Sequence, residues 1–290
     1  MRGLRVICPL LHGNIDFKPK RMPQISSQIE VKYLTLDSNP ESQHKYFNMK
    51  KEICTATKFV SSELIPEFSL HVITPDMEVW NQPFDQLSED FRSSFWHSSM
   101  PYWAIFWPGG QILSRYILDF PDVVKSKRIV DIGAGSGAAS LASLISGCEI
   151  VVANDIDEMS LGATIINAEA NNLFDSQKLQ VNNDNYLQGN IEENAKYLAN
   201  HSDVLLVGDM YFDEEIGDKI SILVSKYVLF NTDSKARTRK KVLIGDPGRW
   251  YLRDKNKKRD NLRCVAKYEL TDEIKRHNYG LVQGIIYQVS

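Results

Sequence analysis

The sequence predicts an α/β fold, a doubly wound and mostly parallel sheet of seven strands with an antiparallel edge strand. First, short apolar and β-branched runs alternate with helix-like stretches from residue 101 onward, as in consecutive βαβ units. Second, two strand-like segments lie about ten residues apart near the end of the chain, which suits an antiparallel pair. Third, a chain of 290 residues that is 43% apolar can bury a core on both faces of such a sheet.

The predicted elements follow one another along the chain. Residues 50–66 have a composition compatible with a helix, and residues 68–75 alternate apolar and polar side chains like a strand. A helix is expected to begin near Pro108, because proline suits the first helical turn and apolar residues follow at helical spacing. Further helices are predicted at 138–146, 158–172 and 213–229. The seven strands are predicted in RIVDIG, EIVVAND, KLQVNN, DVLLVGD, KKVLIGD, RCVAKYEL and LVQGIIYQV.

Composition divides the chain into three parts. Residues 1–45 are polar and show no sustained period, so we expect a presequence or a disordered tail. Arginines close to Met1 and few acidic residues favour the presequence of a mitochondrial protein. Residues 46–100 are expected to form an N-terminal extension that packs on the core, and residues 101–290 are expected to form the main domain.

Charge and cysteine content narrow the class of protein. The net charge is −3 and the isoelectric point is about 6.1, whereas nucleic-acid-binding proteins are usually basic. Residues 235–263 nevertheless hold twelve Lys and Arg against three acidic residues, which suits either solvated loops or a docking surface for an acidic partner. There is no apolar run of about 18 residues, so no membrane span is indicated. The four cysteines are isolated, so we expect no metal site and a reducing compartment.

A glycine-rich loop links the first strand of the regular region to a helix. In VDIGAGSGAAS (residues 130–140), three glycines allow a tight turn and a close approach to a ligand at a helix N-terminus: Gly133, Gly135 and Gly137. Read as G-x-G-x-x-A, the loop also nearly matches a dinucleotide-binding fingerprint. The glycines alone leave a methyl-donor site, an NAD-type site and a purely structural turn as alternatives.

Two carboxylates favour S-adenosylmethionine as the bound cofactor. Asp131 stands two residues before the first glycine, where it would repel a pyrophosphate but could hold the ammonium group of S-adenosylmethionine. Asp155 ends the second strand, where a carboxylate can accept hydrogen bonds from both ribose hydroxyls. Because Asp155 would suit NAD equally well, the choice of S-adenosylmethionine depends on Asp131.

Two further residues are candidates for the cofactor pocket. Asn183 follows the third strand, where the adenine edge would lie, although an Asn in NNDN also suits a turn. Trp107 precedes the Gly-Gly helix start and could form a wall of the donor pocket, although a large ring is equally suited to the core.

The run GDMYFDEE (residues 208–215) follows the fourth strand, at the edge where open parallel sheets bind ligands. Asp209 is expected to face the methyl group from the acceptor side, where a carboxylate can position a lysine ammonium for in-line displacement. The rings of Tyr211 and Phe212 could line a channel for this ammonium through cation–π contacts. The alternative is that Asp209 caps the next helix and both rings are core. Three further acids suit the first turn of that helix and its dipole: Asp213, Glu214 and Glu215.

Several motifs together resemble those of the seven-strand lysine-specific protein methyltransferases over about residues 60–290. They are PYWAIFWPGGQILSRYILD, VDIGAGSGAAS, ANDID, VGDMYFDE and VLIGDPGR. The resemblance implies a Rossmann-like methyltransferase domain at 101–290 that transfers methyl groups from S-adenosylmethionine to lysine ε-amines. The family's acceptor-side motif, an acid, two residues and then Tyr or Phe, falls on Asp209 and Phe212. The aromatic order at Tyr211–Phe212 is reversed relative to the relatives, so the motif leaves open which ring lines the lysine channel.

Within this family, the sequence is most similar to the mitochondrial enzymes that modify the β subunit of electron transfer flavoprotein. This implies a protein substrate, the electron transfer flavoprotein β subunit, and the mitochondrial matrix, with the cytoplasm as the alternative. Neither a membrane nor a nucleic acid is expected as a partner, and a monomer is compatible with the sequence. Two other functions stay open: a nucleic-acid amino methyltransferase, because Asp-x-x-aromatic also resembles an Asp-Pro-Pro-Tyr loop, and a non-catalytic scaffold that binds the donor.

Overall fold

The computed structural model describes residues 40–82, 86, 101–230, 239–255, 261–277 and 281–290. Its α-helices are α1 (Pro40–Ala56), α2 (Glu78–Asn81), α3 (Pro108–Asp119), α4 (Ala138–Ile145), α5 (Glu158–Ala170), α6 (Ile191–His201), α7 (Glu214–Leu229), α8 (Trp250–Lys255) and α9 (Asp272–His277). Its strands are β1 (Lys58–Ser62), β2 (Ile65–Val72), β3 (Arg128–Ile132), β4 (Ile150–Asn154), β5 (Leu179–Asn182), β6 (Val204–Gly208), β7 (Lys241–Asp246), β8 (Arg263–Glu269) and β9 (Gln283–Val289). Residues 1–39 of the predicted presequence or tail lie outside the described residues. The same is true of residues 231–238 and 256–260, most of which belong to the basic segment 235–263.

The last seven strands form one sheet in the order β5-β4-β3-β6-β7-β9-β8. Strands β3 to β7 are mutually parallel, whereas β9 runs antiparallel to both β7 and β8. The doubly wound sheet and its antiparallel end are therefore confirmed, with the antiparallel strand one position in from the edge. The chain moves outward in one direction from β3 and returns to its other side at β6, so the carboxyl ends of these two strands form the crevice where such sheets bind ligands.

Both faces of the sheet are covered, which explains why its inner strands are almost continuously apolar. Ile129 of β3 belongs to one hydrophobic cluster together with residues of α3 and α4. Its neighbour Val130 belongs to another cluster with residues of α6 and α7. Successive side chains of a strand point to opposite faces, so a strand in the middle layer is apolar at most of its positions.

The N-terminal region forms a hairpin where a single helix was compatible with the composition. Helix α1 ends at Ala56, and Lys58–Ser62 pairs antiparallel with β2. The helical interpretation of residues 50–66 is therefore wrong beyond Ala56. Phe59, Val60 and the serines that follow suit a half-exposed strand, and the partner strand satisfies their backbone groups.

Side-chain amides join this N-terminal unit to helix α5. The amide of Asn171 pairs with both backbone groups of Ser69, through an N–H···Oδ1 distance of 3.0 Å and an Nδ2–H···O distance of 2.7 Å. Two strand positions on, the backbone N–H of His71 donates to Asn167 Oδ1 at 2.7 Å. Helix α1 also packs its Met49 side chain against Gly162 of α5. Within the described part of the chain, no helix is long and apolar enough to cross a membrane.

Candidate active site

The loop between β3 and α4 takes a conformation that glycine adopts at little cost. The three glycines have φ angles of +67° at Gly133, +56° at Gly135 and +85° at Gly137. Gly137 is also the N-cap position of α4, so the loop directs the helix N-terminus toward the carboxyl edge of the sheet. The predicted glycine loop therefore forms a cradle at this edge, and its backbone conformation is unfavourable for residues other than glycine.

Asp155 lies just after β4 and closes one side of this cradle. Its Oδ2 accepts the Gly135 N–H at 3.0 Å and its Oδ1 accepts the Asp157 N–H at 3.1 Å. Burial raises the pKa of Asp155, although these backbone donors lower it. A carboxylate oxygen can accept more than one hydrogen bond, so Asp155 can also accept the hydroxyl groups of a ligand.

Asp131 lies deeper, beneath the glycine loop. Its side chain is almost fully buried, and its Oδ2 accepts a hydrogen bond from the Ser140 hydroxyl at 2.8 Å. Burial raises the pKa of Asp131 to about 6, although the Ser140 hydroxyl acts in the opposite direction. A nearby cation would favour its charged form, as the ammonium group of a donor would.

Two neighbouring asparagines at the end of β5 have different environments. The Asn182 side chain is held by local contacts, because its Nδ2 donates to Asp184 Oδ2 at 2.8 Å and its Oδ1 accepts Asn154 Nδ2–H at 2.7 Å. The candidate Asn183 is exposed at the same edge of the sheet. The turn is therefore organised by Asn182, and Asn183 is accessible at the rim.

Asp209 lies at the carboxyl end of β6, as the sequence predicts, and it is 5% exposed. Its φ of +57° is unusual for a residue other than glycine and turns the chain sharply out of the sheet. Its Oδ2 accepts the Gly109 N–H of α3 at 2.9 Å, and its own N–H donates to Gly245 O at 2.9 Å. Asp209 is thus held by backbone groups of two neighbouring elements.

The other oxygen of Asp209 holds a residue to which the sequence analysis gave no role. Arg249 Nε donates to Asp209 Oδ1 at 2.7 Å, with the Arg249 side chain 14% and the Asp209 side chain 2% exposed. The Arg249 guanidinium also lies 5.8 Å from the centre of the Trp107 ring. Trp107 is in turn fixed by its Nε1–H, which donates to Tyr102 O at 2.9 Å. In the sequence, the feature that could have indicated Arg249 is its position at the end of the motif GDPGR.

Asp246 is a second buried carboxylate at this edge, and it too had no role in the sequence analysis. Its Oδ1 accepts the N–H groups of Gly248 at 2.8 Å and Arg249 at 2.9 Å, whereas its Oδ2 is buried without a hydrogen-bond partner in the described part of the chain. Burial first, and the charge of Asp209 second, raise the pKa of Asp246 to about 7.

The two aromatic residues after Asp209 separate. Tyr211 is 1% exposed and stacks on Tyr251, with ring centroids 5.4 Å apart. Phe212 is 41% exposed. Asp213 accepts the Ile216 N–H as the N-cap of α7, and the two glutamates that follow lie in its first turn, so the assignment of these acids to the helix start is confirmed.

Met210 connects the acceptor side to the glycine loop. A Cβ atom added to Gly133 would clash with the Met210 sulfur. The segment after β6 therefore lies directly over the loop after β3, so the residues assigned to the donor and to the acceptor share one crevice.

Comparisons with known proteins agree on the class of protein. Residues 112–205 match the family model of ribosomal protein L11 methyltransferase (PrmA). The chain is 35% identical over 242 residues to the electron transfer flavoprotein beta subunit lysine methyltransferase of Danio rerio, covering 83% of each chain. It is 36% identical over 227 residues to the Homo sapiens protein of the same name, covering 78% of this chain and 76% of that one.

A less similar relative is matched over a larger share of its own length. The Caenorhabditis elegans homolog of the same enzyme is 31% identical over 242 residues, covering 79% of this chain and 91% of that protein. The matched length spans the glycine loop, Asp155 and the segment after β6, the three parts that form the crevice. On the strength of this identity and coverage, the chain belongs to the family of electron transfer flavoprotein beta subunit lysine methyltransferases.

Proposed function

We propose that this chain transfers the methyl group of S-adenosylmethionine to lysine ε-amines of the electron transfer flavoprotein β subunit in the mitochondrial matrix. The observation that carries the proposal is Asp209, a buried carboxylate at the carboxyl end of β6 in the same crevice as the glycine loop. The printed names of the relatives supply the protein substrate. A monomer suffices for this reaction, because one chain provides both the donor and the acceptor residues.

The donor is proposed to lie along the carboxyl ends of β3, β4 and β5. The glycine loop lies beside its amino-acid end, and the Asp131 carboxylate beneath the loop favours its ammonium group. Asp155 accepts the ribose hydroxyls, and the exposed Asn183 lies at the adenine end. Trp107 closes the pocket toward the acceptor side. This arrangement binds a nucleoside that carries no phosphate, because the loop adjoins two carboxylates.

The acceptor is proposed to enter beside Phe212, whose exposed ring can contact the lysine side chain, while Tyr211 supports the turn from the core. The Asp209 carboxylate attracts the lysine ammonium to the methyl group. The sulfonium charge lowers the pKa of the amine, so a proton leaves to solvent. The neutral amine then attacks the methyl carbon, the carbon–sulfur bond breaks, and S-adenosylhomocysteine and a methylated lysine are left.

Methyl transfer from tritiated donor to purified flavoprotein tests this proposal. Asp209→Ala should abolish labelling of the β subunit while the Kd for S-adenosylhomocysteine stays within a few fold of wild type. Asp155→Ala should raise that Kd first, because it removes the acceptor of the ribose hydroxyls. Asp213→Ala is the matched control, since it removes an acid from the same turn that only caps α7.

Three results would contradict the proposal. Near-normal turnover of Asp209→Ala would remove the role of this carboxylate. Label on RNA or DNA in place of protein would identify a nucleic-acid amino methyltransferase. Donor binding without label on any substrate would identify a scaffold.

A further inference from the structure

The acceptor carboxylate is already occupied by a cation of the chain itself. Arg249 Nε lies 2.7 Å from Asp209 Oδ1, and the guanidinium also rests against the Trp107 ring. The second oxygen of Asp209 accepts the Gly109 N–H. An alkylammonium that approached this carboxylate would therefore meet another positive charge in a site that is shielded from water.

A second carboxylate for the guanidinium lies on the same turn as Arg249. Asp246 is 1% exposed, and its Oδ1 already accepts the backbone N–H of Arg249. Its Oδ2 is buried and has no hydrogen-bond partner among the residues that the structure describes, which is a costly state for a carboxylate oxygen. The charge of Arg249 lowers the pKa of Asp246, so the guanidinium lies within electrostatic reach.

We infer that Arg249 holds the place of the substrate lysine on Asp209 and moves to the unpartnered oxygen of Asp246 when the lysine ammonium enters. This exchange keeps one cation on each of two carboxylates, so neither a bare carboxylate nor a pair of cations on one carboxylate arises. The inference rests on the proposed function, because it assigns Asp209 to the acceptor lysine. Its competing interpretation is that Arg249 stays on Asp209 throughout and only fixes the orientation of that side chain.

Steady-state kinetics of Arg249→Ala separate these two roles. The assay is run at mildly alkaline pH, above the pKa of about 7 to which burial raises Asp246. Exchange predicts that the KM for the flavoprotein falls by about fivefold, the effect of losing one competing ion pair. Millimolar guanidinium chloride should then raise this KM competitively and leave kcat unchanged. A fall in kcat that added guanidinium restores would overturn the inference, because it would show that the guanidinium is needed in the reacting complex.

Two matched variants complete the kinetic test. Asp246→Asn keeps an oxygen for the Gly248 and Arg249 N–H groups but removes the charge that receives the guanidinium, so exchange predicts a higher KM and an unchanged kcat. An unchanged KM would count against the inference. Lys267→Ala removes an exposed positive charge from β8, outside the basic segment 235–263, and should leave both constants unaltered; a KM change of the same size as in Arg249→Ala would attribute the effect to overall charge and overturn the inference.

A spectroscopic arm tests the exchange without any methyl transfer. The Arg249 Nε–H resonance of ¹⁵N-labelled protein is assigned by its absence in Arg249→Lys, which keeps the positive charge. Titration of the protein with n-butylammonium chloride, in the presence of S-adenosylhomocysteine, should shift this resonance as the contact with Asp209 is replaced. A resonance that does not move overturns the inference. Because this readout needs no turnover, failure of lysine methylation and failure of the exchange are recorded separately.

Discussion

A buried carboxylate at the carboxyl edge of the sheet lowers the free energy of unfolding when it is ionised, and Asp246 is the clearest case. Its Oδ2 is buried and accepts no hydrogen bond from any described residue, and burial together with the charge of Asp209 raises its pKa from 3.8 to about 7. The folded protein therefore holds a proton that the unfolded chain has already released above pH 4. By linkage, the stabilising contribution of this proton is complete below about pH 4 and is lost as the pH rises through about 7.

We therefore expect Asp246→Asn to reduce the fall in the free energy of unfolding between about pH 4 and pH 7. The amide is neutral at every pH and keeps an acceptor for the Gly248 and Arg249 N–H groups. Urea unfolding of the donor-free protein at several pH values measures the slope. Asp122→Asn, on an exposed residue, is the control. A slope in Asp246→Asn equal to that of wild type would contradict the assignment.

Sequence reasoning placed two candidate residues at the ends of their strands and missed their partners. Asp155 and Asp209 could be placed because a polar residue after an apolar strand lies at the carboxyl edge of a parallel sheet. The pairing of Asp209 with Arg249 could not be predicted, since the two residues are separated by 40 positions and meet through β7. For the same reason, only the structure separates the buried Tyr211, which stacks on Tyr251, from the exposed Phe212.

At the scale of elements, the start of α3 is pressed against the ends of β6 and β7. A Cβ atom on Gly109 would lie 2.5 Å from Gly245 O and 2.7 Å from the Asp209 backbone nitrogen. A Cβ atom on the next glycine, Gly110, would meet no atom of the described residues within 4 Å. Glycine is therefore required by close packing at position 109 but not at position 110.

Gly109→Ala should destabilise the protein by about 1–3 kcal/mol, because backbone atoms cannot rotate away from the added methyl group. It should also weaken methyl transfer, since α3 would shift and lose the Gly109 N–H bond to Asp209. Gly110→Ala, the matched control in the same turn, should stabilise the protein by about 0.5–1 kcal/mol through its helix propensity. Equal melting temperatures for the two variants would refute this account of the helix start.

Elements with strong local signals were predicted closely, and an element without them was not. The helix from Pro108 and the helix capped by Asp213 start where proline and an acidic cap indicate. Strand β1 (Lys58–Ser62) follows a helix directly and gains its strand conformation by pairing with β2. Its short sequence carries no period that distinguishes strand from helix, so pairing across the hairpin decided its structure.

At the scale of the whole molecule, helix α5 lies between the N-terminal unit and the donor loop. Ser69 and His71 are two positions apart on β2, about 6.6 Å along a strand. Asn167 and Asn171 are four positions apart at the end of α5, about 6 Å along a helix. The two spacings match, so both side-chain amides can bond the open edge of β2, as their contacts show.

Only one of these amides also contacts the glycine loop, which gives a prediction about long-range coupling. Asn167 Nδ2 donates to Ser136 O in the glycine loop at 2.9 Å, while its Oδ1 accepts the His71 N–H. Asn167→Ala and Asn171→Ala should both lower the melting temperature, because each leaves backbone groups without partners at a cost of about 1–3 kcal/mol per group. Calorimetric titration with S-adenosylhomocysteine should show weaker binding in Asn167→Ala alone, since only that change releases the loop around Gly135 and Gly137. If both variants bound the donor equally well, α5 would serve to attach the N-terminal unit without tying it to the donor loop.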